Sequence, residues 1–150
     1  MSRKYRYSAV NSSLKSGYKT PKSHYLFVSP NDSINLFPEN TAQEFTVEFP
    51  SFIMDVSTIT LMEFHCSNLH EPLLVFCDTV KSSHIKNSLL PVLRVVESVG
   101  EFGNQYAMDS TRSDVIRLKF KITTLNLDFP SYGLEAVRLV LKITTGDSAV

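Results

Sequence analysis

Glu44-Phe45-Thr46-Val47-Glu48-Phe49 alternates without a break: Phe45, Val47 and Phe49 fall on one face, Glu44, Thr46 and Glu48 on the other. Side chains of an extended chain repeat every two residues, so this hexapeptide reads as a strand with one face on a core and one in water. Pro50 has no N–H and is expected to end it. The same alternation returns twice. In 114–123, Val115, Arg117, Lys119 and Lys121 oppose Ile116, Leu118, Phe120 and Ile122. In 135–144, Val137, Leu139, Leu141 and Ile143 point inward.

Working outward, 24–29, 56–66, 73–80, 91–97 and 105–108 are apolar or β-branched runs bounded by Pro, Gly, Asn and Asp. The stretch 81–88 reads as a polar loop. That makes eight strands and no convincing helix, and no repeat at a fixed period. Charges in 135–141 suit a helix, but Val137, Val140, Ile143, Thr144 and Thr145 favour a strand. Two-faced strands joined by Pro/Gly/Asn loops predict an all-β antiparallel sandwich or barrel.

Charge divides the chain differently. Its net charge is zero, yet the first acidic residue is Asp32. Before it stand Arg3, Lys4, Arg6, Lys15, Lys19 and Lys22, interleaved with Tyr5, Tyr7 and Tyr18; the remainder carries nine Lys and Arg against fifteen Asp and Glu. Residues 1–23 are therefore expected to be a flexible basic arm and 24–150 a folded domain, since an arm so poor in apolar side chains cannot build its own core. Arm cations suit phosphates, where each contact releases a counterion. The tyrosines suit stacking on bases or docking into apolar pockets of a protein. A solvated tail is the plain alternative, and an organellar targeting segment a weaker one.

The sequence shows no stretch near the roughly 20 apolar residues of a membrane span and no secretory signal, so a reducing compartment with free thiols at Cys66 and Cys77 is expected. A Cys66–Cys77 bridge across neighbouring strands is the alternative. His65, Cys66, His70, Cys77 and His84 lack the close ligand pairs of zinc sites, and His65 and Cys66, adjacent on a strand, point to opposite faces. No nucleophile elbow and no phosphate-cradling glycine loop occurs. No enzyme chemistry, metal or cofactor is expected. The row Arg117, Lys119, Lys121 reads as a solvated strand face or a contact for an acidic partner, its field reduced by Asp109, Asp114 and Glu135.

Three segments in order bring in a family. They are Asn40–Pro50 (NTAQEFTVEFP) with Met54–Glu63 (MDVSTITLME), Leu74–Val80 (LVFCDTV) running into Ser82–Ser88, and Leu89–Val96 (LLPVLRVV). Together they resemble the single jelly-roll minor capsid (penton) protein of polinton/Maverick elements and adintovirus-like viruses. That family's pattern runs F-T-V-x-L-P, W-x-V-A-L-x-E-I, Y-C-D-L-V-x-P-x-x-V-G-D-S and P-L-L-R-V-V. The chain departs from it at Thr58-Ile59-Thr60, which lacks the tryptophan, and at Ser83–Asn87, which lacks the Val-Gly-Asp glycine. The resemblance covers about residues 40–96 and implies an eight-stranded single jelly roll. It further implies a homo-pentamer at fivefold vertices, a double jelly-roll major capsid protein as partner and location in a virion assembled inside the host cell. The arm would face the capsid interior and contact neighbours or packaged DNA through Arg3, Lys4, Tyr5, Arg6, Tyr7, Lys15, Tyr18, Lys19 and Lys22. The other class open to such a sandwich is a lectin- or adaptor-like module that recognises carbohydrate or protein through its loops.

Overall fold

A computed structural model describes residues 22–146. Eleven strands form: β1 (Lys22–Val28), β2 (Glu44–Ile53), β3 (Val56–His65), β4 (Leu73–Cys77), β5 (Ser83–Ile85), β6 (Ser88–Leu90), β7 (Val92–Val96), β8 (Gly100–Glu101), β9 (Ala107–Asp109), β10 (Val115–Thr124) and β11 (Arg138–Thr145). Among the described residues there is no helix, and so none long and apolar enough to cross a membrane. One sheet runs β1-β11-β3, with β8 and β9 both on the free edge of β3; the other runs β2-β10-β4-β7. Every pairing is antiparallel.

The two sheets face each other as a β-sandwich. One continuous core joins Phe45 and Val47 of β2, Ile59, Leu61 and Phe64 of β3, Leu118, Phe120 and Ile122 of β10, and Leu139, Leu141 and Ile143 of β11. The Phe45 and Phe120 rings meet across the β2–β10 ladder, their centroids 5.3 Å apart. The period-two alternation thus sets the inward faces of β2, β10 and β11.

The strand count exceeds the predicted eight for two reasons. The 105–108 strand forms as β9, and a further short strand, β8, forms ahead of it at Gly100–Glu101, where only a bend was expected; both pair with one edge of β3. And 81–88 is not a plain loop: most of it is the hairpin β5–β6, which extends to Leu90 and turns at Lys86 (φ 48°) and Asn87 (φ 66°). A left-handed pair at the centre of a two-residue turn matches the twist of the strands it joins, and Asn tolerates that region better than most residues. The turn takes this shape without a glycine.

Two other boundaries move. β2 continues through Pro50 to Ile53, because the register shift between Arg117↔Glu48 and Val115↔Ile53 leaves Pro50 outside the regular ladder. The same shift turns Val115 into the core, so it does not share the solvent face of Arg117, Lys119 and Lys121. At the start of the chain, Lys22 and Ser23 pair with Thr145 and Thr144 and belong to β1.

β4 is buried along its whole length. Leu73, Val75 and Cys77 face the main core, while Leu74 and Phe76 form a second cluster with Val92, packed on by Ile85, Leu90 and Leu127. Covered on both faces, a strand need not alternate, which accounts for the unbroken apolar run.

Candidate assembly and binding surfaces

Among the arm cations and tyrosines, Lys22 alone falls among the described residues. It is exposed at the start of β1, and its carbonyl accepts a 3.5 Å hydrogen bond from Thr145 Oγ1. Arg3, Lys4, Tyr5, Arg6, Tyr7, Lys15, Tyr18 and Lys19 lie outside the described residues.

The β2 edge is closed by side chains. Its outward-pointing groups at three alternate residues are met from the preceding segment: the Glu44 N–H donates to Thr41 Oγ1 (3.1 Å), the Thr46 N–H to Asn40 Oδ1 (3.0 Å) and the Glu48 N–H to Ser33 Oγ (2.9 Å). Asn40 Nδ2 returns a bond to Thr46 O at 2.9 Å. This row stands where a neighbouring strand would pair, and so protects the edge from another chain.

The cationic row on β10 lies beside acids of β2. Arg117 Nε meets Glu48 Oε1 at 2.6 Å and Lys119 Nζ meets Glu44 Oε2 at 3.3 Å. Lys121 Nζ sits 5.5 Å from the Phe129 ring centroid. Two of the three charges are therefore balanced, by Glu44 and Glu48, not by Asp109, Asp114 or Glu135; Asp109 instead lies 3.9 Å from Lys81. Exposed pairs of this kind contribute about 0–1 kcal/mol each, so the row is chiefly a solvated ladder. Between it and the β5–β6 hairpin is a mostly apolar groove of about 350 Å³, lined by Phe76, Leu90, Pro91 and Leu127 as well as Lys119 and Lys121.

At the opposite flank Arg94 of β7 reaches toward the β8–β9 segment. Its guanidinium carbon is 3.9 Å from the Phe102 ring centroid and 4.6 Å from that of Tyr106, and Nη1 donates to Asn104 O at 2.6 Å. This contact ties an edge of one sheet to an edge of the other.

The outer face of the first sheet carries Tyr25 and Phe27 of β1, 56% and 76% exposed. Beside Phe27 is a groove of about 300 Å³ reaching Asp32, Glu63, His65, Arg138 and Val140. His65 Nε2 lies 2.9 Å from Glu63 Oε1. The sequence holds a signal for this surface, since Tyr25 and Phe27 alternate with Leu26 and Val28; the partners across β11 and β3 are set by register alone.

The His/Cys set does not converge. His65 is bonded to Glu63, the His70 ring meets Tyr132 edge-on at 4.9 Å, and His84 is on the hairpin. Among the described residues no group of three or more His, Cys, Asp or Glu could hold a metal ion. Cys66 and Cys77 are free thiols. Burial pushes the Cys66 thiol up and that of Cys77 up to about 12, because a thiolate would lose its hydration in the core. Burial, with the Glu71 carboxylate nearby, raises the Tyr132 phenol. Compared with known proteins, the sequence matches no family model and no curated relative.

Proposed function

We propose that this chain is a structural capsid subunit, a penton-type minor capsid protein built on a single jelly roll. One observation carries the reading. With β8 and β9 taken as one interrupted strand and the β5–β6 hairpin set aside, eight strands remain, and each pairs with its mirror in sequence. β1 pairs with β11, β2 with β10, β3 with β8/β9, and β4 with β7. This pairing supports reading the fold as a long hairpin rolled into two sheets, the jelly-roll arrangement that viral capsid domains share with lectins and cupins. Within that set, the resemblance over residues 40–96 and the basic, tyrosine-bearing N-terminus favour the capsid. In this role the protein is not an enzyme. Five copies close a ring through a heterologous interface, one flank against the opposite flank of the next copy. The major capsid protein surrounds the ring, and residues 1–21 supply contacts to neighbours or packaged DNA inside the virion.

Light scattering coupled to size exclusion, with negative-stain imaging of the full chain, tests this reading. Rings of five copies are the expected result. A chain that stays monomeric at high concentration, and with a co-expressed double jelly-roll capsid protein, would overturn it.

A further inference from the structure

We propose that the groove beside Phe27, on the outer face of the first sheet, is a binding site for a saccharide ring. The inference is independent of the assembly state proposed above. An isolated exposed apolar side chain needs no explanation, but Phe27 is not isolated. Its cross-strand neighbour is Val140, whose own neighbour on β3 is Glu63, so ring, aliphatic floor and carboxylate stand in one row across three strands. His65 and Arg138 are the adjacent cross-strand pair. Asp32 closes the rim, held in place where Oδ2 accepts the Ser29 N–H (2.9 Å) and Oδ1 the Ser29 hydroxyl (2.8 Å).

The donor and acceptor inventory matches a polyhydroxylated ligand. His65 engages one oxygen of Glu63 at 2.9 Å, which orients the carboxylate and leaves its second oxygen as an acceptor. Arg138 is exposed at the start of β11, where its planar fork of N–H donors borders the groove. Asp32 keeps lone pairs beyond those used by Ser29. A sugar ring offers a C–H face of slight positive charge, which an electron-rich aromatic face attracts, and a rim of hydroxyls that both donate and accept. Paired hydroxyls suit two-pronged partners such as a carboxylate or guanidinium. Because these groups sit mostly on paired strands, their spacing is set before a ligand arrives.

Charge distinguishes this ligand from a nucleic acid. Phosphate contact requires a cationic surface, whereas this groove sets Asp32 and Glu63 against Arg138. The volume, about 300 Å³, is also at the small end of ligand clefts, which suits one or two rings.

The test is to pass the full chain over immobilised oligosaccharides ending in hexose, N-acetylhexosamine or sialic acid, with a single-stranded oligothymidine as the parallel probe. At least one saccharide class is expected to be retained. Phe27→Ala and Arg138→Ala should each weaken that binding roughly tenfold, about 1.4 kcal/mol, while Phe27→Tyr preserves it. Melting temperatures of all variants should match the parent, since Phe27 and Arg138 are exposed. The proposal is overturned if no saccharide is retained, if Phe27→Ala binds as well as the parent, or if oligothymidine alone is retained through these residues.

Discussion

Cys77 shows how burial alone sets the chemistry of a residue. It lies on β4 with no exposed surface, and its thiol is pushed up to about 12 from the ordinary 9. Below pH 9 both the folded and unfolded chains hold the proton, and the buried neutral thiol contributes fully to stability. Between pH 9 and about 12 the unfolded chain releases the proton and the folded chain keeps it. Each pH unit in that window therefore shifts the equilibrium about tenfold toward unfolding. Urea midpoints measured from pH 8 to 10.5 should fall more steeply for the parent than for Cys77→Ala; equal slopes would refute the assignment. In the native chain at pH 8, a thiol reagent should label Cys66, which is partly exposed, and spare Cys77 until the protein is unfolded. Two cysteines were legible in the sequence as free thiols. That one is inert and the other reachable follows from position: Cys77 ends the fully covered β4, whereas Cys66 lies just past the end of β3, where the same core covers it only in part.

At the level of elements, the protected edge of β2 makes the sharper prediction. Asn40 satisfies both the N–H and the carbonyl of Thr46, at 3.0 and 2.9 Å. Asn40→Ala leaves two part-buried backbone groups without these partners, so a loss of about 1–3 kcal/mol is expected. Chemical denaturation gives that number, and light scattering should show increased self-association once the edge can pair with another chain. An unchanged midpoint would mean that water replaces Asn40 at no cost. The strand itself was readable from Glu44–Phe49, because period-two alternation is a local property. Its cap was not, because Ser33, Asn40 and Thr41 look like ordinary loop residues until the chain folds back on β2. The hairpin was hidden for a similar reason. Its apolar residues Ile85 and Leu90 pack on Leu74 and Phe76, and nothing in the surrounding polar sequence announces that cover.

For the whole molecule, the question is where the folded unit begins. β1 starts at Lys22, and Leu26 and Val28 contribute to the core. Removing residues 1–21 should leave the circular dichroism spectrum and the melting temperature close to those of the full chain. Removing residues 1–28 should yield insoluble or unfolded protein, because the first sheet loses its edge strand, β11 loses one of its two ladder partners, and the core loses Leu26 and Val28. If the shorter deletion also unfolds the protein, the N-terminal segment is part of the fold and the assembly role proposed for it fails. Arg94 acts at this scale too: it joins β7 to Phe102, Asn104 and Tyr106, so the flank it closes depends on residues from both sheets.

The sequence alone determined that the protein is built of strands, which faces of β2, β11 and the regular part of β10 from Arg117 onward are buried, and where its charge divides. Each of these depends on spacing between near neighbours or on composition. The tertiary structure decided the order of strands in the two sheets, the side-chain cap on β2, the partners of the Arg117–Lys121 row and the groove beside Phe27. Those features join residues far apart in the chain, as Phe27 meets Val140 and Val140 meets Glu63. Such pairings are set by the packing of the whole core, which no local pattern records.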